Sequence, residues 1–193
     1  HIGVLLSVNM GGTPEIIRQV HEDEAHIGVV FHAPADPKIN VRYSLAQPIK
    51  LLVHPKHPLA GAASVTLCEL DAHRLCLPEA SFRIRQMISL AESHEHVSLR
   101  PHVNTNSLIL LKDLVKYAGF ATLLPEATAI VELNRRELIS VPVSNGLLEG
   151  TALNLICRMG RTLPAAPAAF LPTLESGMRA WLRKGRLESV AAV

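Results

Sequence analysis

The stretch from His102 to Pro125, HVNTNSLILLKDLVKYAGFATLLP, constrains the fold of this chain more than any other. Its apolar residues recur at the spacing of an amphipathic helix: Leu108, Leu111, Leu114, Val115 and Ala118. Either Asn106 or Thr105 is suited to cap the first turn of that helix, and Gly119 is suited to end it. The following FATLL predicts a short strand, of the kind buried on both faces of a parallel sheet. In such sheets the polar turns between strand and helix line the ligand crevice.

Strand and helix patterns alternate along the rest of the chain. Strands are predicted at 2–6, 27–31 and 74–78, in ELISVPV and TALNLICR, and as two strands or one bent strand in VRYSLAQPIKLLVHP. Helices are predicted from Thr13, where the hydroxyl caps and Pro14 follows, from Ser81, in PEATAIVE and over 167–184. The last helix is either kinked at Pro172 or begins there. The alternation predicts an α/β fold with parallel sheets.

The second of these helices has its apolar residues at helical spacing, and they are Ile84, Met87, Ile88 and Ala91. The last has Phe170, Leu174, Met178, Trp181 and Leu182 on one face. This face must dock on another element. The residues after Lys184 show no such pattern, and we expect a loose tail there.

Composition argues against direct binding to nucleic acid and against a membrane span. The chain has 193 residues, is 48% hydrophobic and carries a net charge of +2, with no block of basic residues. No apolar run approaches the roughly 20 residues that a membrane helix needs. No secretory signal opens the chain, although it starts abruptly inside a predicted strand, and we expect residues upstream of His1.

The cysteines, Cys68, Cys76 and Cys157, lack CxxC spacing, which fits a reducing cytoplasm. We interpret them as small buried hydrophobes rather than redox sensors.

No motif of catalysis or metal binding stands out. The ten histidines include no three at a recognised ligand spacing, so we expect no metal site. The sequence contains no GxSxG, HExxH, GxxxxGK[ST] or GxGxxG motif. We therefore expect neither enzymatic activity nor a cofactor.

Four local patterns together resemble the effector-binding domain of LysR-type transcriptional regulators. They are EIIRQVHEDEAHIGVVF, HPKHPLAGAASVTLCEL, LVKYAGFATLLP and ICRMGRTLPAAPAAFLPTL. The resemblance covers residues 1 to about 183. It departs from the family at His26, which stands where an acidic residue usually precedes the strand. The family's N-terminal winged helix-turn-helix, its linker helix, and the domain's own first strand and helix do not appear in the sequence.

The resemblance implies a fold of two Rossmann-like lobes joined by two crossings, similar to periplasmic binding proteins. On that analogy the crossings fall near Leu77–Pro78 and Val143–Leu148. The first lobe would comprise residues 1–77 and 148–184, and the second residues 78–147. Residues 185–193 would form the loose tail.

Three polar turns open helices and are candidate effector contacts: Gly11-Gly12-Thr13, Glu79-Ala80-Ser81 and Asn104-Thr105-Asn106-Ser107. Facing lobes would bring them together around a carboxylate, whereas plain helix capping needs no ligand. The predicted effector-binding residues are Thr13, Ser81, Phe82, Asn104, Thr105 and Asn106. Phe82 forms either an apolar wall or part of the core. Arg83 and Arg85 oppose the helix dipole, so they either contact an anion or lie solvated.

The sequence therefore predicts the ligand-sensing and oligomerising domain of a cytoplasmic LysR-type regulator that binds a small organic acid between its lobes. Binding would shift the population of lobe and dimer geometries. We expect a homodimer or tetramer built through residues 2–6 and 14–24, with DNA bound only by the absent N-terminal domain. The alternative is a periplasmic-type solute-binding protein or an enzyme of the same fold.

Overall fold

The computed structural model describes the backbone of residues 4–190 and the side chains of residues 4–180. The helices are α1 (Thr13–His21), α2 (Leu67–Leu70), α3 (Arg83–Glu95), α4 (Leu108–Ala118), α5 (Ile130–Asn134), α6 (Gly146–Glu149) and α7 (Ala165–Val190). The strands are β1 (Gly28–Phe31), β2 (Ile39–Ala46), β3 (Ile49–Val53), β4 (Cys76–Pro78), β5 (Val103–Thr105), β6 (Thr122–Pro125), β7 (Ile139–Val141) and β8 (Ala152–Arg158). A 3-10 helix, Glu126–Ala129, precedes α5. The chain is mixed α/β, as predicted.

Residue contacts divide the chain into two compact units. Unit 1 contains residues 4–45 and 152–181, and unit 2 contains residues 46–151 with the end of α7. The chain thus passes from one unit to the other after Leu45 and again after Thr151. The family analogy places the lobe boundaries at 77/78 and 147/148, which differ from the boundaries of these contact-based units. Those lobe boundaries stay a prediction.

Unit 1 is built on a three-stranded sheet of order β1-β8-β2, on which α1 packs. Strand β1 pairs antiparallel with β8, with Gly28 opposite Ile156. Helix α1 begins after Gly12, whose extended backbone ends the preceding loop, and it has Pro14 in its first turn. Because Ile17 and Val20 lie three residues apart, both reach the core formed by Val30, Ile39 and Ile156.

The prediction of a strand at 2–6 is wrong for residues 4–6, the part of it that the structure describes. Residues 4–12 form no ladder with any described strand, and Leu5 is 93% exposed. An apolar segment becomes a strand only where a neighbouring strand accepts its backbone hydrogen bonds, and periodicity cannot reveal whether that neighbour exists. Residues 2 and 3 lie outside the described residues.

Unit 2 contains a three-stranded sheet of order β6-β3-β7 and a two-stranded sheet of β4 and β5. A parallel bridge between Leu75 and Ala121 links the segments that lead into β4 and β6. Strand β3 runs antiparallel to both of its neighbours, whereas β4 and β5 are parallel. The prediction of parallel sheets is therefore wrong in part. An apolar run indicates a buried strand, but it does not report the direction of the strands that pair with it, and the partners of β3 lie far along the chain.

The two long helices of unit 2 have the apolar faces that the sequence predicts. Ile84, Met87, Ile88 and Ala91 of α3 are all buried. In α4, Leu111 and Val115 are buried, and Gly119 ends the helix in the left-handed conformation at φ 68°. The strand predicted at FATLL is β6, and all four of its residues are buried.

Helix α7 begins at Ala165, so Pro172 lies inside it and does not start it. Leu171 is buried, and Leu174 and Met178 pack against the cluster of Leu155 and Cys157. The helix continues through residues 185–190, which were assigned to the loose tail, and 191–193 lie outside the described residues. The side chains of residues 181 and 182, which the sequence places on the apolar face of this helix, also lie outside the described part of the chain. Among the described residues, no helix is both long and apolar enough to cross a membrane.

Candidate functional site

The pairing of β4 with β5 places two polar turns side by side at one edge of unit 2. The strands are parallel, and their last residues, Pro78 and Thr105, are opposite each other. The chain remains tied just beyond the strands, because the N–H of Glu79 donates to the carbonyl of Thr105 at 3.0 Å. The two turns therefore begin at fixed, adjacent positions where β4 and β5 end. We call this edge of unit 2 the β4–β5 edge, formed by Glu79–Phe82 and Asn104–Ser107.

Five of the six predicted effector-binding residues lie at the β4–β5 edge, and they are Ser81, Phe82, Asn104, Thr105 and Asn106. The sixth, Thr13, belongs to unit 1. Thr13 is the first residue of α1 and is half-buried. The residue before α1 is Gly12, and no side chain caps the helix, so the predicted capping role of the Thr13 hydroxyl is wrong. A cap must precede the helical backbone, and here the helical turn already includes Thr13.

The turn after β4 is organised around Glu79. The hydroxyl of Ser81 donates to Oε1 of Glu79 at 2.6 Å, and the N–H of Phe82 donates to the carbonyl of Glu79 at 3.0 Å. Helix α3 starts at Arg83, two residues later than the predicted start at Ser81, and it has no side-chain cap. Ser81 is exposed and Phe82 is half-buried.

The turn after β5 is organised by two hydroxyls. Oγ1 of Thr105 accepts the N–H of Ser107 at 3.1 Å, and Oγ of Ser107 accepts the N–H of Leu110 at 3.2 Å. Ser107 is thus the cap of α4, and the predicted caps Asn106 and Thr105 are wrong. Thr105 does not cap α4, but its hydrogen bond with the N–H of Ser107 fixes the direction in which the chain enters the helix. Asn106 and Asn104 are exposed on this edge.

The two predicted anion contacts differ in their surroundings. Arg85 pairs with the buried carboxylate of Glu92 at 2.6 Å and also donates to Ser89 at 2.9 Å. Its charge is compensated within α3. Arg83 is half-buried and donates to Gln86 at 3.2 Å, and burial lowers the pKa of its guanidinium. Of the two, Arg83 is the cation nearer the β4–β5 edge, since it follows Phe82 directly.

A third polar group follows β6 and was not predicted. Glu126 comes directly after that strand, and its carboxylate pairs with Lys50 of β3 at 2.8 Å and accepts from Ser140 of β7. Glu79 belongs to one of the predicted polar turns, but it was not among the predicted effector-binding residues. Both glutamates immediately follow a buried strand, and this position is the sequence signal that could have identified them.

The cysteines and histidines show no sign of a reactive or metal-binding centre among the described residues. Cys76 is buried and donates weakly to the carbonyls of Leu111 and Ala121 at 3.7 Å, and burial raises its pKa to about 12. Burial also raises the pKa of Cys157. Cys68 is exposed. Within the part of the chain that the structure describes, no three metal-ligating side chains come together.

The sequence matches the family model of the LysR substrate binding domain over residues 1–179. The chain belongs to this family. It is 20% identical over 170 residues to the RuBisCO operon transcriptional regulator of Allochromatium vinosum, covering 88% of this chain and 56% of that protein. The domain thus spans little more than half the length of that relative. The structural neighbours and this relative do not favour the alternative of a solute-binding protein or enzyme.

Solved structures share the fold of this LysR substrate binding domain. The regulatory domain of CcmR from Synechocystis PCC6803, in complex with 2-PG, superposes with a TM-score of 0.78 at 18% identity, covering 90% of this chain and 83% of that chain. The effector binding domain of QuiR, in complex with shikimate, gives a TM-score of 0.69 at 16% identity. The match covers 91% of this chain and 79% of that chain. The predicted two-lobed, periplasmic-binding-protein-like fold is confirmed.

Proposed function

We propose that this LysR substrate binding domain is the sensing and oligomerising part of a DNA-binding transcription regulator, and that it responds to a small organic acid. DNA binding would belong to a separate part of the protein, because the chain carries a net charge of only +2 and has no block of basic residues. The relative from Allochromatium vinosum is a transcriptional regulator, and two neighbours were solved with 2-PG and shikimate. Such a regulator would act in the cytoplasm.

The observation that carries the proposal is the register of β4 and β5. Because Pro78 is opposite Thr105, the two polar turns are adjacent and their backbones are bonded to each other. A ligand at this edge meets side chains from both turns without any rearrangement of the strands. Fixed polar groups lose little conformational entropy on binding, which favours affinity for a small molecule.

The β4–β5 edge supplies each kind of contact that a small acid needs. The amide of Asn106 and the guanidinium of Arg83 offer donors to a carboxylate, and Phe82 offers an apolar surface. Thr105 and Ser81 orient the two turns. Thr13, on α1 of unit 1, is proposed as a further effector contact, as the family resemblance implies.

Calorimetric titration tests the proposed site. Organic acids, including 2-PG and shikimate, are titrated into the protein, and any binder is then tested against single alanine variants. Asn106→Ala should weaken binding by about 1–3 kcal/mol, as expected for a lost hydrogen bond to a charged group. Ser98→Ala is the matched control, because Ser98 is exposed beyond the carboxyl end of α3. A ligand whose affinity is unchanged by Asn106→Ala, Thr13→Ala and Arg83→Ala would show that the site lies elsewhere.

Self-association is the second part of the proposal. We propose a homodimer or tetramer that uses residues 4–6 and α1, as expected from the family resemblance. Val4, Leu5 and Leu6 are all more than half exposed, so this segment has apolar surface to bury. Sedimentation at tens of micromolar tests it, with Leu5→Asp as the interface variant. A monomer in the absence and presence of effector would contradict this part alone.

A further inference from the structure

The carboxylate of Glu79 is held in a fixed position at the β4–β5 edge. Its backbone N–H donates to Thr105, and its carbonyl accepts from Phe82, both at 3.0 Å. The bond to Phe82 fixes the shape of the turn, and the turn cannot swing away without breaking the bond to Thr105. The side chain is only half-buried, so a molecule bound at this edge meets its carboxylate.

The Glu79–Ser81 pair presents acceptors only. Ser81 has a single hydroxyl proton and gives it to Oε1 of Glu79 at 2.6 Å. The serine is then left with lone pairs toward a ligand, and the carboxylate retains its second oxygen. Neither side chain of the pair has a donor left for the acid group of an effector.

The negative charge of Glu79 is not compensated by an ion pair within the described residues. Arg85 is engaged by Glu92, and Lys50 is engaged by Glu126. Arg83, the next cation along the chain, donates to Gln86. A second carboxylate placed against Glu79 would therefore be repelled, whereas a hydroxyl or ammonium group would form a charge-assisted hydrogen bond.

We infer that Glu79 is a specificity-determining residue, which selects effectors that carry a hydrogen-bond donor beside their acid group. The inference rests on the proposed function and names the class of effector. The donor, a hydroxyl or an ammonium group, binds Glu79 and Ser81. The acid group binds away from them, toward Asn106, whose exposed amide makes no side-chain hydrogen bond within the described residues. Hydroxy acids and amino acids fit this site, and plain carboxylic acids do not.

Matched trios of ligands test the inference. Lactate, alanine and propionate share one carbon skeleton and differ only in a hydroxyl, an ammonium group or neither, and so do malate, aspartate and succinate. The members of each trio are titrated by calorimetry into the wild-type domain, Glu79→Gln and Glu149→Gln. Glu149→Gln is the control for loss of one negative charge, because Glu149 is exposed on α6 and its side chain has no partner among the described residues.

In the wild type, the donor-bearing member of a trio should bind at least about tenfold more tightly than the plain acid. In Glu79→Gln that ratio should fall below about threefold, mainly because the plain acid binds more tightly once the repulsion is removed. Comparison of the hydroxyl and ammonium members identifies which donor is preferred. Glu149→Gln should keep the wild-type ratio.

Three results would count against the inference. Equal binding of plain and donor-bearing acids by the wild type would overturn it and leave the proposed function standing. The same would follow if Glu79→Gln kept the wild-type ratio. Failure of every acid in both trios to bind, together with failure of the wider set of organic acids, would overturn the proposed function and this inference with it.

Discussion

The carboxylate of Glu92 joins Arg85 to the loop that follows α3. Its Oε2 accepts from the Arg85 guanidinium at 2.6 Å, and its Oε1 accepts from the N–H of Leu99 at 2.7 Å. Glu92 is a buried residue with 8% relative exposure, so both bonds form largely out of water. One side chain thereby fixes the first turn of α3 and the return of the chain toward β5. The β4–β5 edge depends on both.

Glu92→Ala should lower the free energy of unfolding by about 3 kcal/mol, because it leaves the partly buried guanidinium of Arg85 without its counter-ion and the N–H of Leu99 without an acceptor. Urea denaturation monitored by circular dichroism measures the loss. Arg85→Ala should also destabilise, and the double variant should cost less than the sum of the two singles. Glu149→Ala, at an exposed position, is the control and should change stability by less than about 0.5 kcal/mol. Additive losses for Glu92 and Arg85 would contradict a direct coupling.

The cap of α4 provides a second prediction. Ser107→Ala should cost about 1 kcal/mol, since the N–H of Leu110 loses its acceptor. Asn106→Ala is the matched neighbour on the same turn, and it should leave stability within about 0.5 kcal/mol of the wild type. Chemical denaturation of the two variants side by side separates them. The reverse order would mean that Asn106 caps the helix.

Helices α3 and α4 show which features of the fold the sequence predicts correctly. Spacing alone identified the buried faces of α3 and α4 and the glycine that ends α4, because these depend on residues within a few turns of each other. It placed the start of α3 two residues too early, at Ser81, and the cap of α4 one or two residues too early, at Asn106 or Thr105. Several polar residues compete for a cap, and the path of the preceding strand decides among them.

The strands show where sequence reasoning could not reach. The antiparallel pairing of β3 with β6 and β7 joins segments seventy or more residues apart. Residues 4–6 pair with no described strand, although their apolar pattern predicts one. Five of the six predicted effector contacts lie at one edge, because polar residues that follow paired strands gather there, and their binding of an effector stays a prediction. The bond between Glu79 and Ser81 depends on side-chain direction, and no pattern in the sequence reports that.

A histidine pair predicts a pH dependence of stability. The rings of His57 and His73 lie 4.9 Å apart between centroids, and burial, with the nearby His73, lowers the pKa of His57 below its ordinary value of 6.5. The unfolded chain therefore takes up a proton at a higher pH than the folded protein does. The contribution of His57 is fully present above pH 6.5 and is lost as the pH falls through 6.5 toward the lower folded value.

Urea midpoints measured above and below pH 6.5 test this prediction. The wild type should be less stable on the acid side, and His57→Gln should lose that part of the dependence. His73→Asn should reduce it, since only the repulsion from His73 is removed while burial remains. An unchanged pH profile in His57→Gln would assign the dependence to other groups.

The close approach of β1 to its neighbours makes Gly28 difficult to replace. A methyl group at Gly28 would lie 2.9 Å from Cγ2 of Ile16 on α1 and 2.9 Å from Cγ1 of Ile156 on β8. Gly28→Ala should therefore destabilise the domain by about 1–3 kcal/mol, since both neighbours must shift in a packed core. Denaturant unfolding of Gly61→Ala provides the control, because a methyl group there meets nothing within 4 Å.

Relief of the crowding distinguishes this cause from a backbone effect. Ile16→Ala removes the Cγ2 atom that a methyl group at position 28 would strike. Because Ile16 is only half-buried, the truncation itself should leave the domain folded. In that background Gly28→Ala should cost less than in the wild type by at least about 0.5 kcal/mol, the coupling expected between touching side chains. Equal costs in the two backgrounds would show that the contact with Ile16 does not set the cost, which would then come from the contact with Ile156 or from the backbone of Gly28.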